Sequence, residues 1–136
     1  RQGSIRMSSR YIKAREAIGD CTPGLCWYNK MVKEKKAAGC HPVALGIYAA
    51  ELEFPVQQLL IMYGYNVISA IVNNAVKLVP LSQMAGQRIL NEYFEKLESA
   101  VQIALHITSD QLGISGCAYE IHCMNHEYLY SRQYMS

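Results

Sequence analysis

The sequence predicts an all-α fold, a bundle of about six helices joined by short loops. Three observations predict it. No run of β-branched residues alternates with period two, and no Asn-Gly pair marks a hairpin turn. Apolar residues instead recur at three- and four-residue steps over long stretches. Proline and glycine fall between these stretches, where helices start and stop. At 136 residues the chain fits a single all-helical domain over 1–136, since domains cluster near ~100–150 residues. A compact chain of that size buries roughly two-thirds of its unfolded surface, enough for a true core.

Ile5, Ser8/Ser9, Ile12 and Arg15/Glu16 outline the tail of an amphipathic helix that ends near Gly19. Thr22 before Pro23 reads as an N-cap and first-turn pair: threonine can accept a free amide, and proline has none to leave unpaired. That helix is predicted to reach Ala38, with Gly39 as its stop. Pro42 opens "PVALGIYAAEL", whose small residues Ala44, Gly46, Ala49 and Ala50 permit close helix approach. Pro55 opens a longer helix in which Leu59/Leu60, Tyr63, Val67, Ile71, Ala75 and Leu78 draw one apolar stripe. After Pro80 a second long stripe follows: Ile89/Leu90, Tyr93/Phe94, Leu97, Val101 and Ala104/Leu105. Glu92, Glu95, Lys96 and Glu98 take the opposite face. "TSDQLG" is a connector, Cys117, Ile121, Met124 and Tyr128 mark a last helix, and "SRQYMS" is a polar tail.

Composition excludes some classes of function. Apolar residues make up 51% and charged residues 18%, which suits a globular protein and not a disordered one. Net charge is +2, and the basic residues are scattered apart from Lys30, Lys33, Lys35 and Lys36. That run reads as a solvated helix face, so no nucleic-acid partner is expected: such a surface needs a broader basic stripe with stacking aromatics. Five cysteines, Cys21, Cys26, Cys40, Cys117 and Cys123, without C-x-x-C spacing suggest free thiols in a reducing cytoplasm. "RQGSIRMSSR" has no apolar stretch behind it, so no signal peptide is read there. The apolar run Leu59 to Val72 is broken by Gly64, Asn66 and Ser69 and falls short of the ~20 residues a membrane span needs. It reads as a buried helix, and no membrane partner is expected. The chain opens on Arg1 inside a helical pattern, as a fragment of a longer product would.

Few residues suggest chemistry. His122 and His126 stand at i and i+4 with Cys123 between them, a spacing found in helical metal sites. No glutamate lies between them as in HExxH, and no third ligand is evident. A side-chain hydrogen bond at the helix surface is the simpler role for His126. A cysteine nucleophile would need a histidine brought close by the fold, whereas Cys21, Cys26 and Cys117 stand where small apolar residues would serve. "GQRIL" lacks the spacing of a phosphate loop, and the 10 tyrosines suit packing and interfaces better than acid catalysis.

The segment "KLVPLSQMAGQRIL" has a different character. Pro80 disfavours helical geometry at Val79, and Ser82 can cap a new helix at Gln83. Lys77 and Gln83 then stand at helix ends, with side chains directed away from a rigid frame. Gly86 has no side chain, so something can approach its backbone closely. Two readings are open: a kinked helix–helix corner, or a docking surface.

"AVKLVPLSQMAGQRIL" and the ending "HEYLYSRQYMS" strongly resemble the UreF family of urease accessory proteins. Positions Val79, Pro80, Leu81, Ser82, Gln83, Gly86 and Gln87 match the family's V-P-L-(G or S)-Q-x-x-G-Q. His126, Glu127, Leu129, Tyr130, Ser131, Arg132 and Ser136 match its H-E-x-L-Y-S-R ending and terminal serine. "HPVALGIYAAEL" and "RQGSIRM" also look like family segments. The resemblance covers essentially this whole chain but only the larger, C-terminal part of the family, whose P-x-G-x-(F or Y)-x-x-S-x-G segment is missing. Asn125 replaces an arginine common there, and His122 stands where the family has a small residue, so His122 is no family nickel ligand.

The resemblance implies a non-catalytic helical maturation factor, dimeric and cytoplasmic. It would bridge a UreD/UreH-type scaffold to the UreG-type GTPase and regulate GTP-dependent nickel delivery to apo-urease. Nickel and GTP would be handled by the partners, with no cofactor bound directly. The partner-binding candidates are Tyr65, Lys77, Gln83, Gly86 and Gln87, followed by His126, Tyr130, Ser131, Arg132, Tyr134, Met135 and Ser136. Lys77, Gln83 and the Gly86-Gln87 turn would face the GTPase, and the tail from Tyr130 to Ser136 would bind the scaffold. Lys77 and Arg132 suit carboxylate or phosphate pairing, and Tyr130, Tyr134 and Met135 suit anchoring. The alternative is a direct nickel binder using His122, His126 and Cys123.

Overall fold

A computed structural model describes residues 2–79, 81–111, 116–125 and 128. Among them the chain is all-α, as the sequence predicts, with no strand. The helices are α1 (Gln2–Ala17), α2 (Pro23–Lys33), α3 (His41–Glu51), α4 (Val56–Leu78), α5 (Gln83–Leu105) and α6 (Cys117–Asn125), with a 3-10 turn at Ser109–Gln111. By contact the chain divides into two units, Arg1–Gln102 and Ile103–Ser136.

The first unit is centred on α1, α2 and α3. Ile12 from α1, Leu25 and Tyr28 from α2, and Ala44 and Tyr48 from α3 form its core. Of the small residues predicted to permit close helix approach on α3, Ala44 and Ala49 are buried, whereas Ala50 is exposed and Gly46 has open space where a Cβ would stand. His41 ties three helices together. Its backbone N–H donates to Ser4 Oγ on α1 at 3.0 Å, and its ring lies edge-on to Tyr11 and stacked with Tyr63 of α4, with centroids 5.6 and 6.2 Å away.

Three helices end in the same way. After α1, Gly19 adopts φ +72°, its N–H bonded to the Glu16 carbonyl and that of Asp20 to the Arg15 carbonyl. This pair of bonds is a Schellman motif, which satisfies carbonyls that the last turn would otherwise leave bare. The same pattern closes α2 at Lys35 (φ 60°) and α3 at Glu53 (φ 54°). The Lys35 motif corrects the predicted end of α2, which stops at Lys33 and not Ala38. Gly39 (φ +76°) instead turns the chain into α3. Left-handed geometry costs a residue with a Cβ about 1–2 kcal/mol, more than the extra unfolded-state freedom of glycine. Lys35→Gly and Glu53→Gly are each expected to raise the unfolding free energy by about 0.5–1 kcal/mol, read as a higher urea midpoint at unchanged slope.

The start of α2 is held from outside the helix. Thr22 is its N-cap residue, as predicted, but its hydroxyl makes no cap bond. Thr22 Oγ1 donates to Glu51 Oε2 of α3, and Glu51 Oε1 accepts the Gly24 N–H at 2.7 Å. These two bonds hold the Glu51 carboxyl below its ordinary range. Asp20 is lowered as well, by the Tyr48 hydroxyl first and then by Arg15, whose Nη1 lies 2.7 Å away. Carboxyls lowered by folding bind fewer protons folded than unfolded, so their contribution is complete above the unfolded values near 3.8 and 4.5. It is lost as pH falls through the lower, folded values. Asp20→Asn and Glu51→Gln are each expected to flatten the acid limb of a stability–pH curve below about pH 4.5, leaving its slope near pH 7 unchanged.

Expectations about the cysteines and about α4, α5 and α6 are corrected. Cys21 and Cys26 are not free thiols but form a disulfide, their Cα atoms 6.2 Å apart across the Thr22–Pro23 turn. Cys40, Cys117 and Cys123 are free, and Cys117 is exposed and not in a core. On α4 the predicted stripe holds in part: Leu59, Leu60, Tyr63 and Ala75 are half-buried, but so are Gly64, Ile68 and Val76, and the buried residue is Val72. Val67, Ile71 and Leu78 of that stripe are 45%, 55% and 60% exposed. The expected buried helix is instead a largely exposed one, with Val72 its one buried residue; by length and composition α4 could cross a membrane, and it carries the amides of Asn66, Asn73 and Asn74 along its length. On α6 no residue is buried, so Ile121 and Met124 are exposed, and Tyr128, predicted to mark this helix, lies beyond its end at Asn125 and is exposed too. On α5 the buried positions are Gly86, Leu90, Leu97 and Val101, a narrower seam than predicted because Tyr93 and Phe94 are each 44% exposed.

Candidate functional site

The corner between α4 and α5 forms as the sequence predicts. Val79 leaves the helix for extended backbone at φ −116°, ψ 145°. Ser82 then caps α5: its Oγ accepts the Ala85 N–H at 3.1 Å and its carbonyl accepts the Gly86 N–H at 3.1 Å. The first bond satisfies one of the four amides that a helix start leaves unpaired, and the second is the first regular bond of the helix. Pro80 itself lies outside the described residues.

A cleft of about 400 Å³ opens at this corner. Val72, Val76, Gly86 and Leu90 form its apolar floor, and Asn73, Lys77, Gln83 and Gln87 its polar rim. The rim has a definite electrostatic sense. Lys77 occupies the last turn of α4, where a cation complements the helix dipole, and the first turn of α5 carries no acidic residue. One lysine and three primary amides at the rim offer donors to oxygen acceptors, such as carboxylates or main-chain carbonyls.

Four of the sequence-predicted residues therefore share one cleft: Lys77, Gln83, Gly86 and Gln87. Lys77, Gln83 and Gln87 are exposed. Gly86 is buried, and the space beside its Cα is filled from within the chain. A Cβ there would stand 2.8 Å from Val76 Cγ2 and 3.4 Å from Val72 Cγ1. Tyr65, 40% exposed, lies further back on α4 and does not line the cleft. His126, Tyr130, Ser131, Arg132, Tyr134, Met135 and Ser136 lie outside the described residues. His122 and Cys123 are exposed on α6, and no group of three His, Cys, Asp or Glu side chains is placed to hold a metal among the described residues. Of the basic run, Lys30 and Lys36 pair with Glu34 at 4.0 and 2.7 Å.

Sequence reasoning missed a second surface. Tyr11, Arg15, Tyr48, Leu52, Phe54 and Met62 line an open groove of about 160 Å³ over α1, α3 and α4. The Arg15 guanidinium lies 4.4 Å from the Tyr48 ring centroid and 5.4 Å from that of Tyr11, held there by Asp20. The signal was present in the five-residue spacing of Arg15 and Asp20 across a glycine turn, but spacing alone does not bring Tyr48 to them.

The described helices gather polar groups at one corner, with exposed apolar side chains on α4 and α5 beside it. Comparison with known proteins supplies the family. The UreF family model matches residues 1–93. Relatives called urease accessory protein UreF align along the whole chain. The protein from Actinobacillus pleuropneumoniae is 36% identical over 136 residues, that from Haemophilus influenzae 34% over 136, and that from Paenarthrobacter aurescens 30% over 138. The chain belongs to the UreF family. It spans 60%, 57% and 60% of the length of these three relatives.

Proposed function

We propose that this chain is the helical part of a urease maturation factor that acts by joining other proteins and does not itself catalyse. In this reading it bridges a UreD/UreH-type scaffold to a UreG-type GTPase, works as a homodimer in the cytoplasm, and regulates GTP-dependent nickel delivery to apo-urease. Nickel and GTP stay with the partners. The observation that carries the reading is the UreF match over residues 1–93, which takes in the whole corner cleft. The chemistry of the cleft supports it, since Lys77, Gln83 and Gln87 offer donors to an acidic or carbonyl-rich partner surface. The tail from Tyr130 to Ser136 supplies aromatic and thioether anchors for the scaffold.

Co-purification with scaffold and GTPase, followed by nickel-dependent urease activation, tests this reading. Lys77→Ala is expected to weaken assembly by about 1–3 kcal/mol, roughly 5- to 150-fold in Kd. Wild-type assembly by both Lys77→Ala and a chain lacking 130–136 would refute the proposed surfaces. Equilibrium dialysis with Ni²⁺ separates this reading from direct metal binding: tight binding lost in His122→Ala/His126→Ala would favour the latter.

A further inference from the structure

We propose that the Cys21–Cys26 bridge is a reversible redox device at the joint between α1 and α2. Oxidised, it clamps the first turn of α2; reduced, it loosens that turn together with the exposed Trp27 beside it. The inference stands independently of the urease reading.

The position of the bridge carries the argument. Cys21 follows Asp20, which Arg15 and Tyr48 fix to α1 and α3. Cys26 lies in the first turn of α2, its N–H bonded to the Thr22 carbonyl at 2.9 Å. Between the two cysteines stand Thr22 and Gly24, the residues that Glu51 holds from α3. Two devices therefore secure one joint, a carboxylate grip and a covalent bond, so breaking the bond leaves the joint held but less tightly. Cys26 is exposed, and a thiol from solution can reach its sulfur. Exposed bridges are the ones that exchange readily with small thiols. The next residue, Trp27, is 59% exposed and is the one tryptophan of the chain, so movement of the joint is passed to an aromatic side chain on the outer face of α2.

The co-reactant is a small thiol of the glutathione class. Its thiolate attacks Cys26 Sγ, the S–S bond breaks, and the electron pair leaves on Cys21 Sγ, which takes up a proton. A second thiolate attacks the small-molecule sulfur of the mixed disulfide and displaces Cys26 as a thiolate, which is protonated in turn. The protein bridge is reduced by two electrons to two thiols, and two small thiols are oxidised to one small disulfide.

The test is a titration of the full chain in buffers of reduced and oxidised glutathione spanning both extremes. Thiols are trapped by alkylation and assigned by peptide mass, with Trp27 emission and amide exchange at Leu25 to Tyr28 recorded in parallel. The expected result is one two-electron transition confined to Cys21 and Cys26. Trp27 emission should follow it, and exchange in that turn should become about tenfold faster in the reduced form. Cys21→Ser and Cys26→Ser should each exchange at the faster rate in every buffer. The proposal is overturned if the pair stays wholly bridged or wholly reduced across the range. It is equally overturned if the bridge opens and closes while emission and exchange stay constant.

Discussion

Leu25→Ala is expected to lower the unfolding free energy by about 3–4 kcal/mol, the largest loss from any single side-chain truncation in α1 to α3. Leu25 is 0% exposed and sits among Ile12, Tyr28, Ala44 and Tyr48. The cost of such a truncation depends on how far the neighbours can close over the cavity. Here they are restrained: the Tyr28 hydroxyl donates to the Cys40 carbonyl at 3.4 Å, and that of Tyr48 donates to Asp20. Ala44 has no reach. The cavity should stay open, which places the loss in the upper half of the usual 2–5 kcal/mol. Against a total stability of about 5–15 kcal/mol, that is a substantial share. Urea unfolding followed by circular dichroism measures it. Leu25→Met, which conserves volume, should cost less than about 1.5 kcal/mol, and a Leu25→Ala loss below 1 kcal/mol would mean that the three-helix core is not the centre of stability.

Gly86→Leu is expected to destabilise by about 2–3 kcal/mol and to spread the corner cleft. A Cβ at Gly86 already stands 2.8 Å from Val76 Cγ2. Val76 cannot swing aside, because a β-branched residue inside a helix keeps essentially one rotamer. Backbone must therefore move, and α4 and α5 separate at the point where Lys77 and Gln83 are presented. Replacing a helical glycine gains roughly 0.5–1 kcal/mol of helix propensity, too little to offset the displacement. Gly46→Ala is the control. Nothing stands within 4 Å of its Cβ position, so the propensity gain should appear undiminished and the two glycine substitutions should have opposite signs.

Helix existence and order were legible in the sequence because proline, glycine and apolar spacing are local signals. Val79, Ser82 and Gly19 behave as their own chemistry dictates. Where the reading failed, the deciding partner lay far along the chain. Thr22 is a cap residue by position, but its hydroxyl serves Glu51, 29 positions away. Apolar residues occupy both sides of α4: Ile68 and Val72 turn inward while Val67 and Ile71 stay outside. Periodicity cannot choose between two apolar faces. The α2 boundary failed for another reason, since Lys35 adopts a conformation that its residue type disfavours and only the completed motif supports. At the site, the four corner residues were legible as neighbours because one turn carries them all. The groove around Arg15 was not, being assembled from three helices.

The grip of Glu51 on Gly24 has a consequence for biosynthesis. The carboxylate that completes the first turn of α2 is translated 27 residues after that turn has left the peptidyl-transferase centre. During synthesis the first turn of α2 is therefore expected to lack this acceptor until α3 has left the exit tunnel.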